Sequence, residues 1–217
     1  WQPLAQLEFH GGFGLYQQPP SFPVPLPGID TFALQLKLQR AWQGSLGMKI
    51  QLPLDLSLTA TGYYGKFQNI NDVVLDFVAS ACSSPPPESL SGIPARITRV
   101  VDGAGYGMEL LLRRKVGAVT GWLAYTLSRA ERVYSCGLGP SDYDQAHILN
   151  AAVQVRLPWR LMAGASFKFA TGRPYTQLGV DIRNMTITGS RNNSRLPSFV
   201  QLDVRLDREW IFDRWAL

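Results

Sequence analysis

Along Gln201-Leu202-Asp203-Val204-Arg205-Leu206-Asp207, polar and aliphatic residues alternate without a break. In an extended strand, that period of two sends the charges to one face and the aliphatics to the other. On a helix the same residues would scatter around the cylinder. The pattern recurs along the chain. Trp42, Leu46, Met48, Ile50 and Leu52 alternate with Gln43, Ser45, Gly47, Lys49 and Gln51. Leu54, Leu56, Leu58, Ala60 and Tyr64 interleave with Asp55, Ser57, Thr59 and Thr61. Met108, Leu110 and Leu112 flank Glu109 and Arg113, and Leu123, Tyr125 and Leu127 interleave with Thr120, Thr126 and Ser128. Leu149, Ala151, Val153 and Val155 alternate with Asn150, Gln154 and Arg156, and Leu161, Ala163, Ala165, Phe167 and Phe169 with Ser166 and Lys168. A weaker opening case sets Ala5, Leu7, Phe9 and Phe13 against Gln6, Glu8 and His10. The pattern predicts about eight strands of roughly 10–13 residues, the length a tilted membrane strand requires. Soluble strands stop at about 5–6 residues.

The connections alternate in length. Short turns are expected near Pro53, at 115–118, around Pro158 and near Asp213, with long loops at about 17–40, 76–96, 133–144 and 172–198. The long segments are rich in Pro, Ser, Gly and Asn, as in Ser83-Ser84-Pro85-Pro86-Pro87 and Ser190-Arg191-Asn192-Asn193-Ser194. Short turns on one side and long loops on the other mark outer-membrane barrels; a soluble sandwich has no reason to gather its long loops at one end. The fold expected is therefore all-β, part of an antiparallel transmembrane barrel built as a meander.

In that fold Leu56, Leu58, Leu110, Leu123, Val153, Phe167, Val204 and Leu206 should share the lipid-facing side. Gln43, Ser45, Thr59, Glu109, Arg113, Gln154, Gln201, Asp203 and Arg205 should share the water-filled side, solvating it and laddering charge between strands. Trp42, Tyr64, Phe67 and Phe169 lie toward long loops and Trp159, Trp210 and Trp215 beside short turns, as two interfacial aromatic girdles would require. Ordinary core aromatics are the alternative. Lys66 and Arg208 interrupt the apolar faces, both near strand ends where a long side chain reaches water.

Composition sharpens this picture little. The 217 residues are 46% hydrophobic and only 17% charged, against roughly 25% in soluble domains. No apolar run approaches the ~18 residues of a spanning helix. The net charge of +5 is dispersed, without the stripe or cluster that would point to nucleic acid. The chain opens at Trp1 with no basic or apolar leader and stops at Trp215-Ala216-Leu217, within what reads as a new strand. Residues 1–217 are thus expected to form one partial barrel domain of a longer protein, lacking its last strands.

Several motifs, in order, resemble the C-terminal barrel of TonB-dependent outer-membrane receptors. They are Leu36–Ala41 followed by Gly44-Ser45-Leu46-Gly47; Thr61-Gly62-Tyr63-Tyr64 followed by Asn71-Asp72-Val73-Val74; Gly105-Tyr106-Gly107-Met108-Glu109; Tyr125-Thr126-Leu127-Ser128-Arg129; Asp144-Gln145-Ala146-His147-Ile148-Leu149-Asn150; and Thr171-Gly172-Arg173-Pro174-Tyr175-Thr176. The resemblance implies a barrel of about 22 strands, of which about eight are a partial wall. It also implies outer-membrane localisation, coupling to the TonB energy-transducing complex through a plug domain not present in this chain, and uptake of a scarce siderophore-, cobalamin- or oligosaccharide-like ligand. A passive pore, or a small structural or adhesive barrel, is the competing reading, and a barrel enzyme a third.

Candidate chemistry is sparse. No catalytic, cofactor or metal site is expected. Asp142, Asp144 and His147 have a spacing open to metal binding, but a loop-to-strand boundary uses Asp to satisfy turn amides. His147 and Asn150 have no nucleophile placed by motif beside them. Gly103-Ala104-Gly105-Tyr106-Gly107 leads into a strand, where a phosphate loop would open a helix. Cys82 and Cys136 fall in long loops on the same side, where a disulfide and two free thiols remain alternatives.

Overall fold

The computed structural model describes residues 6–19, 38–73, 98–134, 137–177, 179–181, 186–188, 191–212 and 215–216. Its elements, in order, are β1 (Leu7–Gln18), β2 (Gln39–Leu52), β3 (Leu56–Val73), β4 (Thr98–Arg114), β5 (Val119–Tyr134), β6 (Gly137–Pro140), β7 (His147–Leu157), β8 (Leu161–Ala170), β9 (Pro174–Tyr175), β10 (Gly179–Asp181), β11 (Thr186–Thr188), β12 (Ser194–Arg195), β13 (Phe199–Arg208), β14 (Ile211–Phe212) and β15 (Trp215–Ala216). No helix occurs among the described residues.

One sheet runs β1-β2-β3-β4-β5-β7-β8-β13, every neighbour antiparallel, with β6 folded back onto the end of β5. The pairs β9–β12, β10–β11 and β14–β15 are separate two-stranded sheets. This is the meander the alternation predicts, and the fold is all-β. Three strands are longer than expected: β3, β4 and β5 run 18, 17 and 16 residues. Their extra length lies at the long-loop end. A bulge with Asn69 at φ 57° shifts the β3–β4 register between Phe67 and Ile70. It is held by Asn69 N–H to Asp102 Oδ1 at 3.1 Å and Asn69 Nδ2 to the Leu38 carbonyl at 3.1 Å.

One strand, β3, begins a little later than the alternation suggests. Leu54 and Asp55 belong to the turn between β2 and β3, not to β3, at φ 66° and 58°. Trp159 and Arg160 repeat this between β7 and β8, at φ 60° and 57°, with Leu161 N–H donating to the Pro158 carbonyl. Two successive positive φ values give the tight primed turn whose twist suits a hairpin. Such turns normally recruit Asn and Gly; here Leu, Asp, Trp and Arg occupy them, so the sequence shows where the turns fall, through Pro53 and Pro158, but not their left-handed geometry. The expected loops at 133–144 and 172–198 also carry structure, namely β6 and the β9–β12 pair. The hairpin near Asp213 is present as β14–β15, with Phe212 opposite Trp215.

This sheet has almost no core. Among the described residues Val101 is the one buried hydrophobic side chain, while Leu46, Leu202, Leu206 and Val204 are 66–77% exposed. Among the described residues no second layer covers the aliphatic positions.

Candidate functional site

Register decides which side chains share a face, because partners directly opposite in an antiparallel pair point the same way. Starting from β13, Leu202 pairs Phe167, Val204 pairs Ala165, and Leu206 pairs Ala163. Phe167 continues to Ala151 and Leu123, which lies opposite Leu112, and Leu112 opposite Leu58 and Ile50. Val153, Leu110 and Leu56 fall on the same face. On the other face Asp203 pairs Ser166, Arg205 pairs Gly164, and Gly164 pairs Gln154. Gln201, Glu109, Arg113, Thr59, Ser45 and Gln43 lie on that face too. Eight strands therefore agree on one division: a continuous apolar face and a continuous polar one.

The polar face is cross-linked by its own charges. Lys49 Nζ lies 3.3 Å from Glu8 Oε2 on the neighbouring strand. Ser166 Oγ donates to Asp203, Gln201 Nε2 donates to both Asp203 oxygens, and Arg205 Nε reaches Asp207 at 2.8 Å. All are exposed, so each contributes little to stability; collectively they describe a wetted wall. Leu111 and Trp122 break the pattern by sharing this face with Thr59 and Arg113. The run Leu110-Leu111-Leu112 conceals that break from a sequence reading. Tyr63 lies across Gly107, where an added Cβ would come within 2.3 Å of the Leu127 carbonyl oxygen and 2.7 Å of the tyrosine oxygen.

The aromatics sort by height. Trp42, Tyr64 and Phe169 sit on the apolar face near the long-loop ends, whereas Phe67, expected with them, falls on the polar face one residue out of step, and Trp159 occupies the turn at 158–160 and is 79% exposed. The Arg208 guanidinium covers the Trp210 ring at 3.8 Å, beyond the end of β13. Cys82 and Cys136 both lie outside the described residues.

At the long-loop end the segments around β6, β7, β9 and β12 gather a polar cluster that the sequence does not reveal. Asp144 is fully buried. Its Oδ1 accepts the Ala130 N–H at 2.8 Å and its Oδ2 the Arg195 guanidinium; Arg129 approaches to 3.9 Å. Arg195 also donates to the Asp144 and Gly172 carbonyls. Beside it, Arg191 Nη2 bonds Asp142 Oδ2 at 2.7 Å while its guanidinium lies 4.6 Å over the Tyr134 ring. Asn192 Nδ2 donates to Asp142 Oδ1 and to the Pro140 carbonyl, both at 2.7 Å. Burial works against ionising Asp142, but hydrogen bonds from Arg191 and Asn192, with the charges of Arg191 and Arg132, outweigh it and hold the carboxyl below its ordinary value. Gly172 permits the fold-back: a Cβ there would lie 1.6 Å from the Leu196 carbonyl oxygen.

Asp142, Asp144 and His147 therefore do not converge. The two aspartates hold separate arginines, and His147 Nδ1 meets the Tyr125 hydroxyl at 2.8 Å. No group of three metal-ligating side chains occurs among the described residues. The cluster's role is mechanical: it pins the β8–β13 connection against the β5–β7 wall.

The structure resembles known import receptors. The ferric-catecholate import receptor Fiu of E. coli K12, in its closed form, superposes with a TM-score of 0.63 at 16% identity, over 99% of this chain and 28% of that one. FpvA of P. aeruginosa bound to heterologous pyoverdines gives 0.65 at 11% identity, over 95% and 25%. The chain has the fold of a receptor-barrel wall. The FrpB iron transporter of Neisseria meningitidis agrees, with 0.61 at 15% identity over 97% and 31%. The chain thus spans about a quarter to a third of the length of these receptor chains. No family model and no curated protein matches the sequence.

Proposed function

We propose that residues 1–217 are part of the membrane-spanning wall of a TonB-dependent outer-membrane receptor that imports a scarce chelated ligand. The observation that carries this reading is the uncovered aliphatic face on the same strands as a charged one. An apolar surface this continuous marks a partner or a membrane, and strands satisfy their backbone in lipid only as part of a closed barrel. The short turns would face the periplasm and the long loops the outside. The likeness to three iron-import receptors supports a ferric chelate as the ligand class, ahead of cobalamin or oligosaccharide. In this reading the polar face lines the lumen, the pinned loop cluster shapes its outer mouth, and the work is binding and passage rather than catalysis. Energy coupling would enter through a plug domain elsewhere in the protein.

The test is uptake of radiolabelled ferric chelates by cells with and without the full-length protein, each with and without an uncoupler. Saturable uptake that needs both the protein and the energised membrane supports an energy-coupled receptor. Uptake that is unsaturable and indifferent to the uncoupler would make the protein a passive pore.

A further inference from the structure

One patch of the polar face does not suit a merely wetted wall. Trp122, on β5, is 40% exposed and stands between Arg113 of β4 and Ala152 of β7. One row toward the loops, Leu111 of β4 pairs Ala124 of β5. Lipid does not account for these side chains, because they point away from the aliphatic face. The residue on β7 and the next one up β5 on this face are alanines, too short to cover an indole ring. Neither the Trp122 side chain nor the exposed Arg113 guanidinium shares a hydrogen bond, ion pair or ring contact with a described residue.

The nearest charges to the ring are positive. Arg113 is directly opposite, about 5 Å away at the backbone. The exposed Lys168 lies one row toward the loops and two strands along, since Ala124 pairs Asn150 and Asn150 pairs Lys168. Carboxylates are more distant. Glu109 is four residues along β4 from Arg113, about 13 Å. Asp203 shares the Trp122 row but lies three strands away, about 14 Å, and already accepts from Ser166 and Gln201. Trp122 is the fourth residue of β5, so the patch belongs to the short-turn end of the wall, away from the loop cluster.

An open indole beside an unpaired guanidinium fits a flat group that is both aromatic and negatively charged. Its ring can stack on Trp122 while its charge meets Arg113; an uncharged aliphatic group uses neither. We infer that this patch is a transit site for the imported ferric chelate, holding one of its ionised aromatic arms after the chelate has left the mouth. The chelate is then of the catecholate kind, not the hydroxamate kind. This rests on the proposed import function and deepens it.

The experiment compares two radiolabelled probes in cells carrying the full-length protein: a trianionic ferric tris-catecholate and an uncharged ferric tris-hydroxamate. Surface binding is measured with an uncoupler present and the maximal uptake rate without it. Wild type should import the tris-catecholate in preference. Arg113→Gln should lower its maximal rate about fivefold, as loss of one exposed charge contact does, and Trp122→Leu by a similar factor, as loss of a ring contact does. Surface binding should stay at the wild-type level in both, which also shows that the variants fold, and Arg113→Lys should keep most of the rate. Unchanged uptake in both variants overturns the site, as does an equal loss for both probes or a loss of surface binding. Entry of a large antibiotic into cells carrying Trp122→Leu would show that the patch packs against the plug instead. Saturable import of the tris-hydroxamate alone refutes the ligand class and leaves the import reading standing. Import of neither probe by wild type refutes both.

Discussion

At the scale of single residues, the account predicts opposite tolerance at neighbouring positions. Leu202 pairs Phe167 on the apolar face and Gln201 pairs Lys168 on the polar face. An arginine at a lipid-facing position near the midplane of a barrel costs about 2–4 kcal/mol; at a wetted surface the change stays within about 0.5 kcal/mol. Leu202→Arg should therefore lower the urea stability of the folded barrel in bilayers, and Gln201→Arg should leave it nearly unchanged. Greater damage at Gln201 would reverse the faces. Asp142 supplies a pH test. Its folded-state value lies below the ordinary 3.8, so its ionised form stabilises the loop at neutral pH. That contribution is lost as pH falls from 3.8 through the lower folded value. A spin label at Asn193 should sharpen in that acid window, while Asp142→Asn should be mobile at every pH. Unchanged label mobility in acid would show that Arg191 and Asn192 do not anchor the loop through this carboxylate.

At the scale of elements, the strands and the places of the short turns were legible; the turn geometry and the structure within the long loops were not. A period of two survives in β13 because each face meets one environment, and a single-residue slip would reverse every side chain. The residues of β7 and β8 were readable for the same reason. The two tight turns were expected from Pro53 and Pro158, and the structure has them there; only their left-handed residues were hidden, because Leu54 and Trp159 look like strand residues. The loop cluster escaped because Asp142 and Arg191 are 49 positions apart and Asp144 and Arg195 are 51 apart. Local pattern carries no trace of a pairing made by folding a loop back on the wall. Two element-scale predictions follow from these joints. Replacing Leu54 by Asn and Asp55 by Gly should relieve left-handed strain of about 1–2 kcal/mol per residue, seen as a higher urea midpoint; a lower midpoint would contradict the turn geometry. Gly172→Ala should free the β8–β13 connection, because the Leu196 carbonyl occupies the space of the new methyl. Faster protease cleavage within 173–198, with the barrel still folded, would report it, and wild-type cleavage would refute the close approach.

At the scale of the whole molecule, a single layer with one buried aliphatic side chain among the described residues must find its core elsewhere. We propose that lipid is that core, and that closure with further strands removes the free edges at β1 and β13. The measurement that addresses this most directly is a spin-label scan along β13, from Phe199 to Arg208, in the full-length protein reconstituted in bilayers. Collision with oxygen, which concentrates in hydrocarbon, and with a water-soluble nickel chelate would be read at each position. The account predicts strict alternation: Val200, Leu202, Val204 and Leu206 favour oxygen, and Gln201, Asp203, Arg205 and Asp207 favour nickel. Equal nickel access on both sets, or protection of the aliphatic set from both probes, would contradict a wall with lipid on one side and water on the other.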